Sequence, residues 1–262
     1  MSPEHTSELP PAPPPLATQP EQPHMSEGGR LLGVFFSPGK TFADIARHPH
    51  WWVPVILIAL LGTVYLNIFT QRVGWESVIR PTLERSQQIQ SMTVQQREQL
   101  IANAARLYKY LGYGVSAVGT LFYVFIVAVL LMFLFDTMMS AGIGLKRMMA
   151  IVAYGFLPMV IQTLLSLVVL LLKDPDEFNL QNPLMFNVGA YLSPDSPAAL
   201  RAFGSSIDLF SLWIIVLLAI GVSSTARKMS FGKALVTIMA PWVLYVCLKT
   251  AAAAAGIPIG SS

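Results

Sequence analysis

The sequence predicts an all-α, polytopic membrane protein with five transmembrane helices and amphipathic interfacial helices beside them. Three observations predict it. Five long apolar stretches recur along the chain. The third of them, residues 148–172, carries no charge at all, and at ~1.5 Å per residue such a helix exceeds the ~30 Å hydrocarbon core of a bilayer. Charged residues make up 12% of the chain and hydrophobic ones 54%, where soluble domains hold roughly 25% charged residues. Helices apolar on every side have no face to turn to water, which excludes a soluble core. The net charge of +3 gives no reason to expect a nucleic-acid partner. Cys247 is the one cysteine; it excludes an internal disulfide, and in an apolar run it reads as a small packed hydrophobe.

Residues 1–29 are rich in proline (Pro3, Pro10, Pro11, Pro13, Pro14, Pro15, Pro20, Pro23) and poor in large apolar side chains. They read as a disordered, partly polyproline tail, a tether more readily than a ligand for a proline-recognising domain. A basic start followed by an apolar run is missing, so no cleavable signal peptide is expected. In residues 30–50, Ser37 is placed to cap a short helix with Pro38 at its first position. Phe42, Ile45 and Ala46 then share a face, with Lys40, Asp44 and Arg47 elsewhere, which predicts an amphipathic helix lying on the membrane surface. His48 and His50 form an HxH without acidic or cysteine partners nearby. They read as interfacial residues beside Trp51 and Trp52 rather than as a metal pair.

The first span is expected at about 51–70, with Pro54 in its first turn and Asn67 near its far end, bonding another helix or reaching the headgroups. Residues 71–112 form a polar connection in which Thr93 and Gln96 make a capping box that opens a helix. That helix is a surface helix or a docking surface for a partner. The second span, about 113–135, carries Gly112, Ser116 and Thr120 at a spacing of four, a small-residue face for close helix contact. Asp136 ends it and is expected to be solvated, with a buried lysine partner as the other reading. The 148–172 span is central in sequence. Tyr154, Pro158, Gln162 and Ser166 recur every four residues on one face, and Pro158 cannot donate to the Tyr154 carbonyl, so a kink is expected. A polar, kinked stripe in lipid has to face protein or trapped water.

Residues 173–206 are acidic and proline-broken and read as a solvated connection. The fourth span, about 207–225, starts with Asp208, suited to a helix N-terminus. The fifth, about 234–256, contains Pro241, expected to kink it, and Lys249, expected to snorkel to the surface rather than pair with a carboxylate. Eight basic residues fall on each side of a five-span chain, so charge counting does not orient it. The short loops are densest in Lys and Arg, which favours a cytoplasmic N-terminus.

At this point FFSPGKTFADIARHPHWWVP, with Phe35, Pro38, Phe42, Ile45, Trp51, Trp52 and Pro54, resembles the opening segment of the Yip family in its bacterial branch. These are the Rab/Ypt-interacting membrane proteins. AYGFLPMVI, around Tyr154 and Pro158, is similar to the family's proline-containing third span. IDLFSLWIIVLLAIGVS, with Asp208, Phe210, Trp213 and Gly221, resembles the start of its fourth. The resemblance covers about residues 31–256 and implies a five-helix, Yip-type membrane domain over 51–256 with a cytoplasmic N-terminus. Eukaryotic relatives bind prenylated small GTPases. A small GTPase enters here only by that analogy, because the chain lacks the DLYGP-type element. No reaction comes with the resemblance, so no catalytic residue is carried over.

The function expected is therefore non-enzymatic: a membrane-organising or adaptor protein, trafficking-like in kind. Its partners are the lipid bilayer and a membrane protein or a second copy of itself. The alternative is a small-solute or lipid transporter or channel component acting as an oligomer, supported by Asn67, Asp136, Tyr154, Pro158, Gln162, Asp208, Pro241 and Lys249 in or at the ends of the spans. No cofactor, metal or catalytic set is expected. An intramembrane enzyme needs a nucleophile with a base or a metal motif, and all four histidines precede the first span.

Overall fold

A computed structural model describes residues 24–84, 86–175, 178, 183–193 and 195–256. The expected tail lies outside these residues except for its last six positions, as do Asp176, Glu177, Asn182 and Pro194 of the acidic connection. Among the described residues the architecture is all-α, with one isolated bridge between Asn187 and Asp208.

Helix α1 (Glu27–Phe36) begins inside the expected tail. Ser26 caps it by accepting from the Gly29 amide at 3.1 Å, and Glu27 puts a negative charge in its first turn. Helix α2 (Pro38–Arg47) follows with Pro38 first, as expected. Ser37, however, makes no side-chain cap; Thr41 Oγ1 donates to its carbonyl instead. The amphipathic face is present, with Phe42 and Ile45 fully buried. It is covered by protein rather than left for a lipid surface, since α2 packs on α8 (Leu145–Gly155) and α11 (Leu209–Thr225).

Among the described residues, four helices are long and apolar enough to cross a membrane: α3 (Trp52–Arg72), Val94–Met138, Leu145–Leu172 and α12 (Phe231–Ala254). Helix α11 is a fifth apolar helix, shorter at 17 residues. The count of five is thus approximate, and α11 is the one sheathed by others: it packs against α2, α8, α9 (Pro158–Leu172) and α12. The second of the four is longer than expected. A polar helix α6 (Val94–Gly114) opens with the Thr93–Gln96 capping box and runs on through a π-helical stretch (Val115–Gly119), α7 (Thr120–Met132) and a second π-helical stretch (Phe133–Met138). Helix α4 (Trp75–Glu84), followed by the short α5 (Gln87–Gln90), packs back onto α6. The small-residue face is used as expected: Ser116 Oγ lies 3.0 Å from Thr63 Oγ1 of α3, and a Cβ on Gly62 would come within 3.0 Å of it.

The central span breaks at its proline. Helix α8 ends at Gly155, Phe156 and Leu157 turn, and Pro158 starts α9. The Tyr154 carbonyl that Pro158 cannot serve accepts from the Leu157 amide at 3.2 Å. Every residue of α8 from Met148 to Gly155 is buried. Glycines let α11 approach it: a Cβ on Gly155 would meet Leu218 at 2.6 Å, and one on Gly221 would meet Ile151 at 2.6 Å and the Phe42 ring at 3.1 Å. Helix α12 runs through Pro241 as one helix, not split there as the central span is at Pro158. Helix α10 (Ala198–Ser206) packs on α12 with Ala202, Gly204 and Ser206 buried, so this part of the acidic connection is docked rather than solvated. Cys247 is exposed on α12, not packed.

Candidate functional site

A cavity of about 670 Å³ lies between α7, α9, α11 and α12. The chain's local rules place its walls. The break at Phe156–Leu157 puts Phe156 beside it and starts α9 so that Met159 and Gln162 follow. Asp208 stands at its end because it caps α11, accepting from the Ser211 amide at 2.9 Å. Pro241, Trp242 and Tyr245 of α12 and Tyr123 of α7 close it from the other side. Its interior runs down α11 from Asp208 and Ser211 to Ile215 and Leu218. One end therefore holds Asp208, Ser211, Gln162 and Tyr245, and the other is aliphatic. Such a cleft can take up an elongated molecule with one polar end.

Three of the eight residues singled out in the sequence, Gln162, Asp208 and Pro241, meet in this cavity. Pro158 acts on it through the break. The other four serve elsewhere. Asn67 donates to Tyr113 Oη at 3.1 Å and accepts from Gln71 at 2.6 Å, so it bonds a neighbouring helix. Asp136 is neither simply solvated nor paired with a lysine: its two oxygens take the Ile143 and Gly144 amides at 2.8 and 2.7 Å and fold the loop ahead of α8. Lys249 neither snorkels freely nor meets a carboxylate; its ammonium donates to Ser205 and Ser206 of α10 at 3.0 and 3.3 Å. Tyr154 donates through its hydroxyl to Glu27.

That last contact belongs to a second polar group which the sequence did not reveal. Arg30 is 1% exposed. Its Nε donates to Asp44 Oδ2 at 2.8 Å and its Nη1 to Glu27 Oε1 at 3.1 Å. Glu27 thus bridges Arg30 to Tyr154 of α8, with His50 Nδ1 3.3 Å from the same oxygen. His24, His48 and His50 line a small cavity of about 130 Å³ beside this group. In sequence, Glu27 sat in the tail, Arg30 was one more of the basic residues counted on either side of the spans and Asp44 fell off the apolar face. Nothing local marks residues that meet across 14 and 127 positions. The network bolts the α1–α2 hairpin onto α8, and Phe35 adds an edge-on contact with Trp213 of α11 at 5.5 Å between ring centres.

Comparison with known proteins follows the same outline. The chain is 25% identical over 201 residues to the membrane protein YknW of Bacillus subtilis (strain 168), covering 76% of this chain and 80% of that one. No solved structure matches it. The Yip1 domain pattern matches residues 32–252, from the middle of α1 almost to the end of α12. On that match over most of its length, this integral membrane protein belongs to the Yip1 domain family.

Proposed function

We propose that this protein is a non-enzymatic membrane organiser, an adaptor that holds a polar arm outside the bilayer for a membrane-protein partner or a second copy of itself. It sits in the bacterial cytoplasmic membrane with its N-terminus in the cytoplasm, and the arm stands on the opposite face. One observation carries this reading. The helix Val94–Met138 is 45 residues long, about 68 Å at the α-helical rise, against a hydrocarbon core of ~30 Å. More than half of it has to stand outside the core. The polar α6 half is stiffened for that position by α4, whose Arg80 donates to both carboxylate oxygens of Glu98 at 2.8 and 2.9 Å.

The test places a photo-cross-linking residue at Asn103, exposed on α6, and another at Leu244, exposed on α12. In native membranes Asn103 is expected to give a discrete protein adduct and Leu244 lipid adducts alone. Lipid adducts at both positions would remove the adaptor reading. Orientation is read from Asn103→Cys in a Cys247→Ser background, which a membrane-impermeant maleimide should label from outside intact cells. A second reading, solute or lipid passage through an oligomer, is favoured by the cavity holding Gln162, Asp208 and Pro241. Flux through reconstituted vesicles would support it.

A further inference from the structure

We propose that the cavity binds an amphipathic monocation, with an ammonium head group beside Asp208 and an alkyl tail along α11 towards Leu218. The inference is independent of the adaptor reading and needs no transport. Seventeen described residues line the cavity, and a single one of them, Asp208, is charged. Five are aromatic: Tyr123, Phe156, Phe210, Trp242 and Tyr245. A lone carboxylate among aromatic rings is the arrangement that favours a weakly hydrated cation, through charge at one point and ring faces around it. The volume, about 670 Å³, falls in the range of ~300–1,000 Å³ typical of small-molecule sites.

The charge is available to a ligand. Oδ1 of Asp208 takes the Ser211 amide, and among the described residues no side-chain donor reaches Oδ2. The positive end of α11 offsets about half a charge, which leaves the site negative. Lys249, one turn beyond Tyr245 on α12, turns its ammonium to Ser205 and Ser206 and is not part of the lining. The shape selects an amphiphile over a compact cation. From Asp208 to Leu218 the wall falls from polar to aliphatic over ten residues of α11, ~15 Å of helix. Access comes from the bilayer, because the flanking helices turn exposed apolar residues outward, Phe122 and Ile126 on α7 and Leu244 and Leu248 on α12.

The experiment uses the full chain in nanodiscs of phosphatidylglycerol, a lipid without an ammonium group. Tritiated dodecyltrimethylammonium is the probe, read by scintillation proximity. Saturable binding is expected, and Asp208→Asn should weaken it about tenfold or more. Asparagine caps a helix as well as aspartate, so an unchanged melting profile will separate lost charge from lost fold. Trp242→Leu should weaken the cation several-fold. An uncharged dodecyl polyoxyethylene ether should compete poorly, and equally, against wild type and Asp208→Asn. Equal cation binding by wild type and Asp208→Asn, or displacement by the neutral ether at the same concentration as by unlabelled cation, would overturn the proposal and leave a cleft filled by bulk lipid.

Discussion

Arg30 illustrates what a buried charge does in this chain. Its guanidinium is held by Asp44 and Glu27 with almost no exposure. Removing one member of such a group strands the others, which costs about 3–5 kcal/mol. Arg30→Ala should therefore lower the melting temperature in detergent sharply and open the α1–α2 hairpin to protease. The paired change Arg30→Met with Asp44→Leu, which removes charge from both sides, should restore much of the loss; a paired variant as unstable as Arg30→Ala would show that the hairpin is held by something else. Asp136→Ala should cost about 1–3 kcal/mol, because it leaves two loop amides without an acceptor. How far each of these residues was legible depended on range. Asp208 was legible because a cap is set by its own next three residues. Asp136 was read as a solvated or lysine-paired charge because its partners are backbone amides seven and eight positions on, which leave no mark in side-chain chemistry. Glu27, Arg30 and Asp44 were not legible, since only the folded hairpin brings them together.

At the scale of elements, the apolar runs and a disturbance at Pro158, expected as a kink and found as a break, could be read directly, because they follow from rise per residue and a missing amide. What covered each face could not. The α2 face with Phe42 and Ile45 has the same pattern whether it meets lipid or protein, and here the crossing of α8 and α11 supplies the cover. Pro241 shows the converse, a proline that the surrounding helix carries without interruption. The α8–α11–α2 contact depends on Gly221, where any side chain meets Ile151 and Phe42. Gly221→Val should cost about 1–3 kcal/mol through overpacking, measured as a lower melting temperature. Gly232→Val, at a position with open space around it, serves as the control. Equal effects of the two changes would mean that close approach at Gly221 is not what the glycine provides.

At the scale of the whole molecule, the all-helical membrane architecture was clear from composition and run length, while the connections were underestimated. From Val94 on, the 71–112 segment continues the second span as one rod, and part of 173–206 docks on α12. Proline and charge in those segments hid α10 because its burial uses only small residues, Ala202, Gly204 and Ser206. The tail boundary also moved. Removing residues 1–23 keeps Ser26 and Glu27, and removing 1–28 takes both. The first truncation should leave membrane integration and melting unchanged; the second should still integrate but melt lower. The docked hairpin also sets an order of events at the ribosome. Residues 27–47 are synthesised first, yet the surface that receives them is made by Tyr154 of α8 and by Trp213 and Gly221 of α11. At ~5–20 residues per second the hairpin waits on the order of 10–30 s, and a nascent chain halted before α11 can pair Arg30 with Glu27 and Asp44 but leaves Phe35 and Phe42 without the helix that covers them.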